Sequence, residues 1–261
     1  LLNKLFMKYI FILLSLLFTF SIQAQIINIP DPNFKNILVN SVYDTNNDDE
    51  IDISEALNIY ALDVTNSNIT SLEGIQYFTN LDTLICDNNN ISDLSVLNTF
   101  SYFSYLSCSN NNLTSLDLSN FSSIMYLICS NNQLTSLDIS SLQDASIEQL
   151  IANNNNLITL NLKNGRPDMV FQLNIDNNPN LSYVCVNNNH EAYYNSYFQS
   201  PNITLLGLPV NVVVNSYCNF TPGGNYFTIN GTAHFDADSN GCSVLDSGYA
   251  NFKVAISNGT T

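Results

Sequence analysis

The sequence predicts a coiled solenoid of short parallel strands, and two regularities carry that prediction. Leu62, Leu84, Leu106, Leu127, Leu150 and Leu173 are separated by 22, 22, 21, 23 and 23 residues. Each is followed four positions later by an asparagine: Asn66, Asn88, Asn110, Asn131, Asn154 and Asn177. The positions three before the leucine (Ile59, Leu81, Phe103, Ile124, Ile147, Val170) and two after it (Val64, Cys86, Cys108, Cys129, Ala152, Ile175) are apolar. A fixed period of this size means one structural unit per repeat, stacked so that neighbours bury a shared core. The 261 residues include 44 asparagines, yet 45% are hydrophobic, enough to fill such a core.

The unit reads L-x-x-L-x-C-x-x-N-x-x-L/I in loose form. Leu106-Ser-Cys-Ser-Asn-Asn-Asn-Leu-Thr-Ser-Leu-Asp-Leu-Ser119 and Leu127-Ile-Cys-Ser-Asn-Asn-Gln-Leu-Thr-Ser-Leu-Asp-Ile-Ser140 carry it most clearly. The chain resembles leucine-rich repeat proteins of the internalin-like type, and these stretches look like repeats of exported Bacteroidetes proteins. The resemblance covers residues 57–190. It implies a curved parallel sheet on the concave side and a short irregular or 3-10 convex side.

In that geometry the strand ends by turning its chain into the coil, where backbone groups lose their sheet partners. A buried amide side chain can satisfy them. Asn66, Asn88, Asn110, Asn131, Asn154 and Asn177 are therefore expected to form an internal ladder. The following Asn89, Asn111, Asn132, Asn155 and Asn178 are expected to serve the tight turn, since asparagine tolerates positive φ. Cys86, Cys108 and Cys129 fall at the inward position and are expected to be free buried thiols. Cys185, at an outward position of the last coil, is expected to pair with Cys218, leaving Cys242 over.

Alternation around each leucine gives the outward residues. One column is Ala61, Thr83, Tyr105, Tyr126, Gln149, Gln172 and Tyr183; the next is Asp63, Ile85, Ser107, Ile128, Ile151, Asn174 and Cys185. Tyr105, Tyr126, Ile85, Ile128, Ile151 and Tyr183 make a candidate binding patch for a protein or a carbohydrate. The alternative is that these side chains only cover their sheet.

Outside the repeats the chain changes character. Residues 1–24 read as a secretory signal peptide, with Lys4 and Lys8 before an apolar run from Tyr9 to Phe18; the alternative is an N-terminal membrane anchor. Residues 25–56 read as a helical cap whose Phe34, Ile37, Leu38 and Val42 recur at helical spacing. Within it Asp44, Asn46, Asp48, Glu50, Asp52 and Glu55 resemble the ligand order of an EF-hand calcium loop, with Asp49 where the usual glycine stands. An acidic solvated turn is the competing explanation. Residues 191–218 close the solenoid, 219–225 form a linker, and 226–261 look like the start of an immunoglobulin-like or Cna-B-like β-sandwich. Asp236, Asp238 and Asn240 offer a second, weaker calcium set there.

Charge narrows the partners. Removing residues 1–24 leaves Lys35, Lys163, Arg166 and Lys253 against 22 acids. Clustered cations for phosphate neutralisation are missing, so nucleic acid is not an expected partner. His190 and His234 are the only histidines and lie in different modules. With no zinc-protease helix, nucleophile elbow or phosphate loop, catalysis is not expected. The functional expectation is a monomeric, secreted or cell-surface recognition and adhesion module. A passive spacer and an accessory region of a longer exported enzyme are the alternatives.

Overall fold

The structure is a computed structural model. It describes residues 25–216 and Cys218, apart from Ser101, Ala145, Met169 and Pro201, and the backbone of two short strands further on. The chain divides into two compact units, Leu1–Pro222 and Gly223–Thr261. In the second, β11 (His234–Phe235) pairs antiparallel with β12 (Ser247–Gly248). The leader at 1–24, the Asp236, Asp238 and Asn240 set, and most of the expected sandwich lie outside the described residues.

The first unit is a leucine-rich repeat solenoid. Its concave sheet has six parallel strands: β1 (Ala61–Asp63), β2 (Thr83–Ile85), β3 (Tyr105–Ser107), β4 (Tyr126–Ile128), β6 (Gln149–Ile151) and β8 (Gln172–Asn174). The repeat leucines align in register, Leu62 to Leu84, Leu106, Leu127, Leu150 and Leu173. Two 3-10 turns, Ile75–Tyr77 and Ser95–Thr99, run opposite the first strands. Between the layers Phe103 packs at 5.7 Å from Phe100 and 6.0 Å from Phe121, ring centre to ring centre.

The inward amides are displaced by one residue from the sequence expectation. Asn66, Asn88, Asn110, Asn131, Asn154 and Asn177 all take left-handed φ between 53° and 57°, and they are the turn residues. The next asparagine in each coil is the buried one. Asn111 donates its Nδ2 to the carbonyls of Cys86 (2.9 Å), Cys108 (3.1 Å) and Ser109 (3.2 Å), and its Oδ1 accepts from the Ile91 N–H at 3.0 Å. Asn89, Asn132, Asn155 and Asn178 repeat the pattern. The reason is geometric: a left-handed residue reverses the chain direction, so the side chain after it, not its own, enters the coil.

A second parallel sheet is absent from the sequence expectation. It holds β5 (Ser136–Asp138), β7 (Thr159–Asn161), β9 (Tyr183–Cys185) and β10 (Val213–Asn215), in the order β10-β9-β7-β5. Tyr183 therefore does not continue the concave column. It pairs with Thr159 and Val213, is 3% exposed, and its hydroxyl bonds to Asn215. Cys185 is likewise buried rather than outward, and it is disulfide-bonded to Cys218 with a Cα–Cα distance of 5.3 Å. Closing a loop of this length is worth about 3–4 kcal/mol.

Caps cover both ends of the core. Helix α1 (Pro32–Val39) starts on Asp31, whose Oδ1 accepts from the Asn33 and Phe34 N–H groups. Its Oδ2 accepts from the Thr70 N–H and hydroxyl, both at 2.7 Å, and from the Ser71 N–H, tying the cap to the first coil. Phe34 and Leu38 are buried, whereas Val42 lies past the helix end and is exposed. The short helix α2 (Ile53–Ala56) carries a reciprocal cap between Asp52 and Glu55. At the far end α3 (Glu191–Phe198) and a 3-10 turn, Ile203–Leu206, close the stack. Gly207, at φ 66°, lies against Asn177, whose side chain leaves no room for a Cβ.

Replacing Asn111 with alanine strands one buried N–H and removes the partner of several carbonyls. The expected loss is about 2–4 kcal/mol in urea denaturation. Asn110→Gly, which keeps the left-handed turn, is expected to change stability by less than about 1 kcal/mol.

Candidate recognition face

The described outward residues of the concave sheet are Ala61, Thr83, Tyr105, Tyr126, Gln149 and Gln172 in one column and Asp63, Ile85, Ser107, Ile128, Ile151 and Asn174 in the next. Tyr105 and Tyr126 stand on adjacent strands with ring centres 5.6 Å apart and planes tilted by 31°. Both are partly buried, as are Ile85, Ile128 and Ile151. Gln149 donates its amide to Gln172 at 2.8 Å, continuing the tyrosine column as a polar pair.

Ser107 interrupts the isoleucine row. Its hydroxyl lies 2.8 Å from both carboxylate oxygens of Asp87, and it is 2% exposed. Ile128 and Ile151 thus adjoin, while Ile85 sits apart. Asp87 also accepts from the Ser109 N–H at 2.6 Å. Burial, and secondarily the Asp87 charge, raise the Tyr105 phenol above its ordinary value. The phenol is a neutral hydrogen-bonding group at physiological pH.

Exposed aromatics at the end of the face are not among the sequence-predicted residues. Phe171 is 89% exposed one residue before β8, and Tyr193 is 54% exposed on α3. With Val170, Gln172, Leu173, Tyr194 and Tyr197 they line a hollow of about 240 Å³. The signal for them is the Tyr193-Tyr194-x-x-Tyr197 cluster directly after the last repeat.

The acidic loop is tightly self-bonded. Asp44 is 5% exposed; its oxygens accept from the N–H groups of Asn47 (2.7 Å), Asp48 (3.3 Å) and Asp49 (3.1 Å). Asp49 has φ 62°, so it takes the left-handed conformation usually given to glycine. Glu55 accepts from Thr45 and Asn46 on one oxygen and from the Asp52 N–H on the other. Asn46 bonds to Asp48, and Glu50 pairs with Lys35 at 2.6 Å. Among the described residues no three His, Cys, Asp or Glu side chains converge on a shared metal position.

Cys86, Cys108 and Cys129 are free and buried, in one inward column. Burial pushes all three thiols up, Cys129 to about 12.

No protein-family model matches the chain, and no curated protein sequence matches it. Solved structures do. The functional domain of InlJ from Listeria monocytogenes, described as including a cysteine ladder, is 28% identical with a TM-score of 0.49 over 63% of this chain and 38% of that one. An internalin, InlF, from Listeria monocytogenes is 19% identical with a TM-score of 0.43, covering 64% of this chain and 60% of that one. Internalin C2 from the same species is 22% identical with a TM-score of 0.42, covering 74% of this chain and 98% of that one. The chain thus spans well under half of the InlJ domain.

The thiol column yields a stability prediction. An unfolded chain ionises these thiols near their ordinary value of 9.0, whereas the folded one holds them neutral. Their contribution is intact below that pH and lost as pH rises towards the folded values. Each thiol should add up to about 1.4 kcal/mol of destabilisation per pH unit there. Urea midpoints measured across that range should fall more steeply for the native chain than for a Cys86→Ala, Cys108→Ala, Cys129→Ala variant.

Proposed function

We propose that this chain is the recognition module of an exported or cell-surface protein and takes a protein partner on its concave face. The observation carrying this reading is the Tyr105 and Tyr126 pair, set beside Ile128 and Ile151 on a surface whose outward columns hold few charges. Tyrosines supply large contact area at low entropic cost, with a polar tip to place it. The isoleucines favour protein over carbohydrate, because they offer nothing to a sugar's hydroxyls. Binding, not catalysis, is the proposed role. Among the described residues no helix is long and apolar enough to cross a membrane.

The test is a photoreactive residue in place of Ile128, which should crosslink the partner. Affinity for that partner should then fall about 30-fold or more in a Tyr105→Ala, Tyr126→Ala variant, a loss of about 2 kcal/mol. Unchanged affinity with an unchanged fold would sink the reading. A glycan retained by the native chain and lost with the tyrosines would instead make carbohydrate the ligand.

Calcium in the acidic loop is a second proposal, supported by the donor order Asp44, Asn46, Asp48, Glu50, Asp52 and Glu55 and by the left-handed Asp49. Binding requires Glu55 to exchange its N–H partners for the ion, so the expected affinity is modest. Titration calorimetry should show calcium heat that Glu55→Gln removes, together with a raised melting temperature. A melting temperature indifferent to chelator in the native chain would remove the site.

A further inference from the structure

The last strand of the concave sheet is left half-bonded. In every earlier coil from β2 onward the inward residue after the strand donates its N–H to the next coil: Cys86 to Ser107, Cys108 to Ile128, Cys129 to Ile151 and Ala152 to Asn174, each at 2.8 Å. The left-handed asparagines do the same, and at the end of the stack the Asn177 N–H finds the Leu206 carbonyl of the cap at 2.7 Å. The cap supplies nothing further along. Gln172 and Asn174 bond back to the preceding coil, through the Gln172 N–H to Glu148 and the Asn174 carbonyl to the Ala152 N–H. Parallel ladders alternate sides residue by residue, so Leu173 points its N–H and carbonyl the other way. Neither of these groups has a hydrogen-bond partner among the described residues. The Phe171 carbonyl faces the same way.

The open edge thus presents, in order, the Phe171 carbonyl and the Leu173 N–H and carbonyl, and it ends at Ile175, which is fully buried. This is the order of groups with which Glu148 and Leu150 of the preceding coil hold β8. Facing it is the hollow walled by Tyr193, Tyr194 and Tyr197, with Phe171 at its rim. A second hollow of about 320 Å³ shares Tyr193 and Tyr197 and is lined also by Ser196, Ser200 and Leu206. At about 240 Å³ the first lies below the roughly 300–1,000 Å³ of small-molecule clefts. It suits a few residues of extended chain laid along an edge.

We propose that β8 accepts an extended, basic polypeptide segment of a partner protein as a seventh strand, in parallel register, with one apolar side chain seated among the α3 tyrosines. Strand addition of this kind draws affinity from main-chain bonds and specificity from alternate side-chain pockets. The basic character follows from charge. Glu148 lies across the ladder from Gln172, Asp176 lies within electrostatic reach of Tyr197, Glu191 opens α3, and the whole chain carries −16. That same charge opposes a second copy of this chain in the edge.

The experiment uses the full chain and the blocked peptide Ac-Lys-Val-Lys-Val-Lys-Val-Lys-amide, with amide hydrogen exchange as readout. Binding is expected to slow exchange at Leu173 by about tenfold or more while leaving β1 to β4 unchanged. N-methylation of the peptide amides on one face of the strand should abolish protection, and on the other face should not. Tyr193→Ala, an exposed change that spares the core, should weaken protection; Tyr105→Ala with Tyr126→Ala should not, which separates this site from the concave patch. The proposal is overturned if the peptide does not protect the Leu173 amide, if neither methylated form loses binding, or if that amide is already protected by dimerisation of the chain alone.

Discussion

At the end of each concave strand the chain must turn into the interior, and there its carbonyls and N–H groups leave the sheet without water to receive them. One asparagine side chain per coil resolves this. With two donors and an acceptor it reaches its own coil and the one before it. The remaining features follow from keeping that amide in place: a left-handed residue to aim it, a small or compact inward residue three positions earlier to make room, and caps to finish the last turn. The cysteines fit this demand as compact apolar fillers.

Legibility in the sequence tracks periodicity. The leucine period and the free thiol column can be read from spacing. The assignment of roles between adjacent asparagines cannot, because Asn88 and Asn89, or Asn110 and Asn111, are chemically identical and differ only in backbone conformation. The second sheet is obscured for a related reason. Leu137, Leu160 and Val184 form their own inward ladder, but a reading with one strand per repeat puts Tyr183 on the concave side. The concave columns themselves are readable because strand alternation leaves one choice once the inward leucine is known. Phe171 and Tyr193 lie at the edge of the repeat, where the period no longer speaks.

The acidic loop shows how one donor order serves two ends. Asp44 and Glu55 hold backbone N–H groups around a tight loop, and Asp52 caps the helix that follows. The same oxygens that order the cap through the main chain are those an ion would seek. Together with Asp31, which fastens α1 to Thr70 and Ser71, they add a set of carboxylate bonds to the N-terminal cap, whose Phe34, Leu38 and Ile51 are buried in the core. The opposite cap relies on α3 packing and a disulfide.

Because each inward asparagine reaches backwards, the stack has a direction. Asn89 completes the coil containing Val64, Asn111 the coil containing Cys86, and so on to Asn178, which completes the coil of Ala152. A coil is therefore finished only by its successor, and the amide joint between any two is the same joint. Removing one whole period, such as the 22 residues from Leu84 to Tyr105, would bring Leu106 into the place of Leu84 and leave the remaining amide joints chemically unchanged. The solenoid's reach can lengthen or shorten in whole coils without any new chemistry.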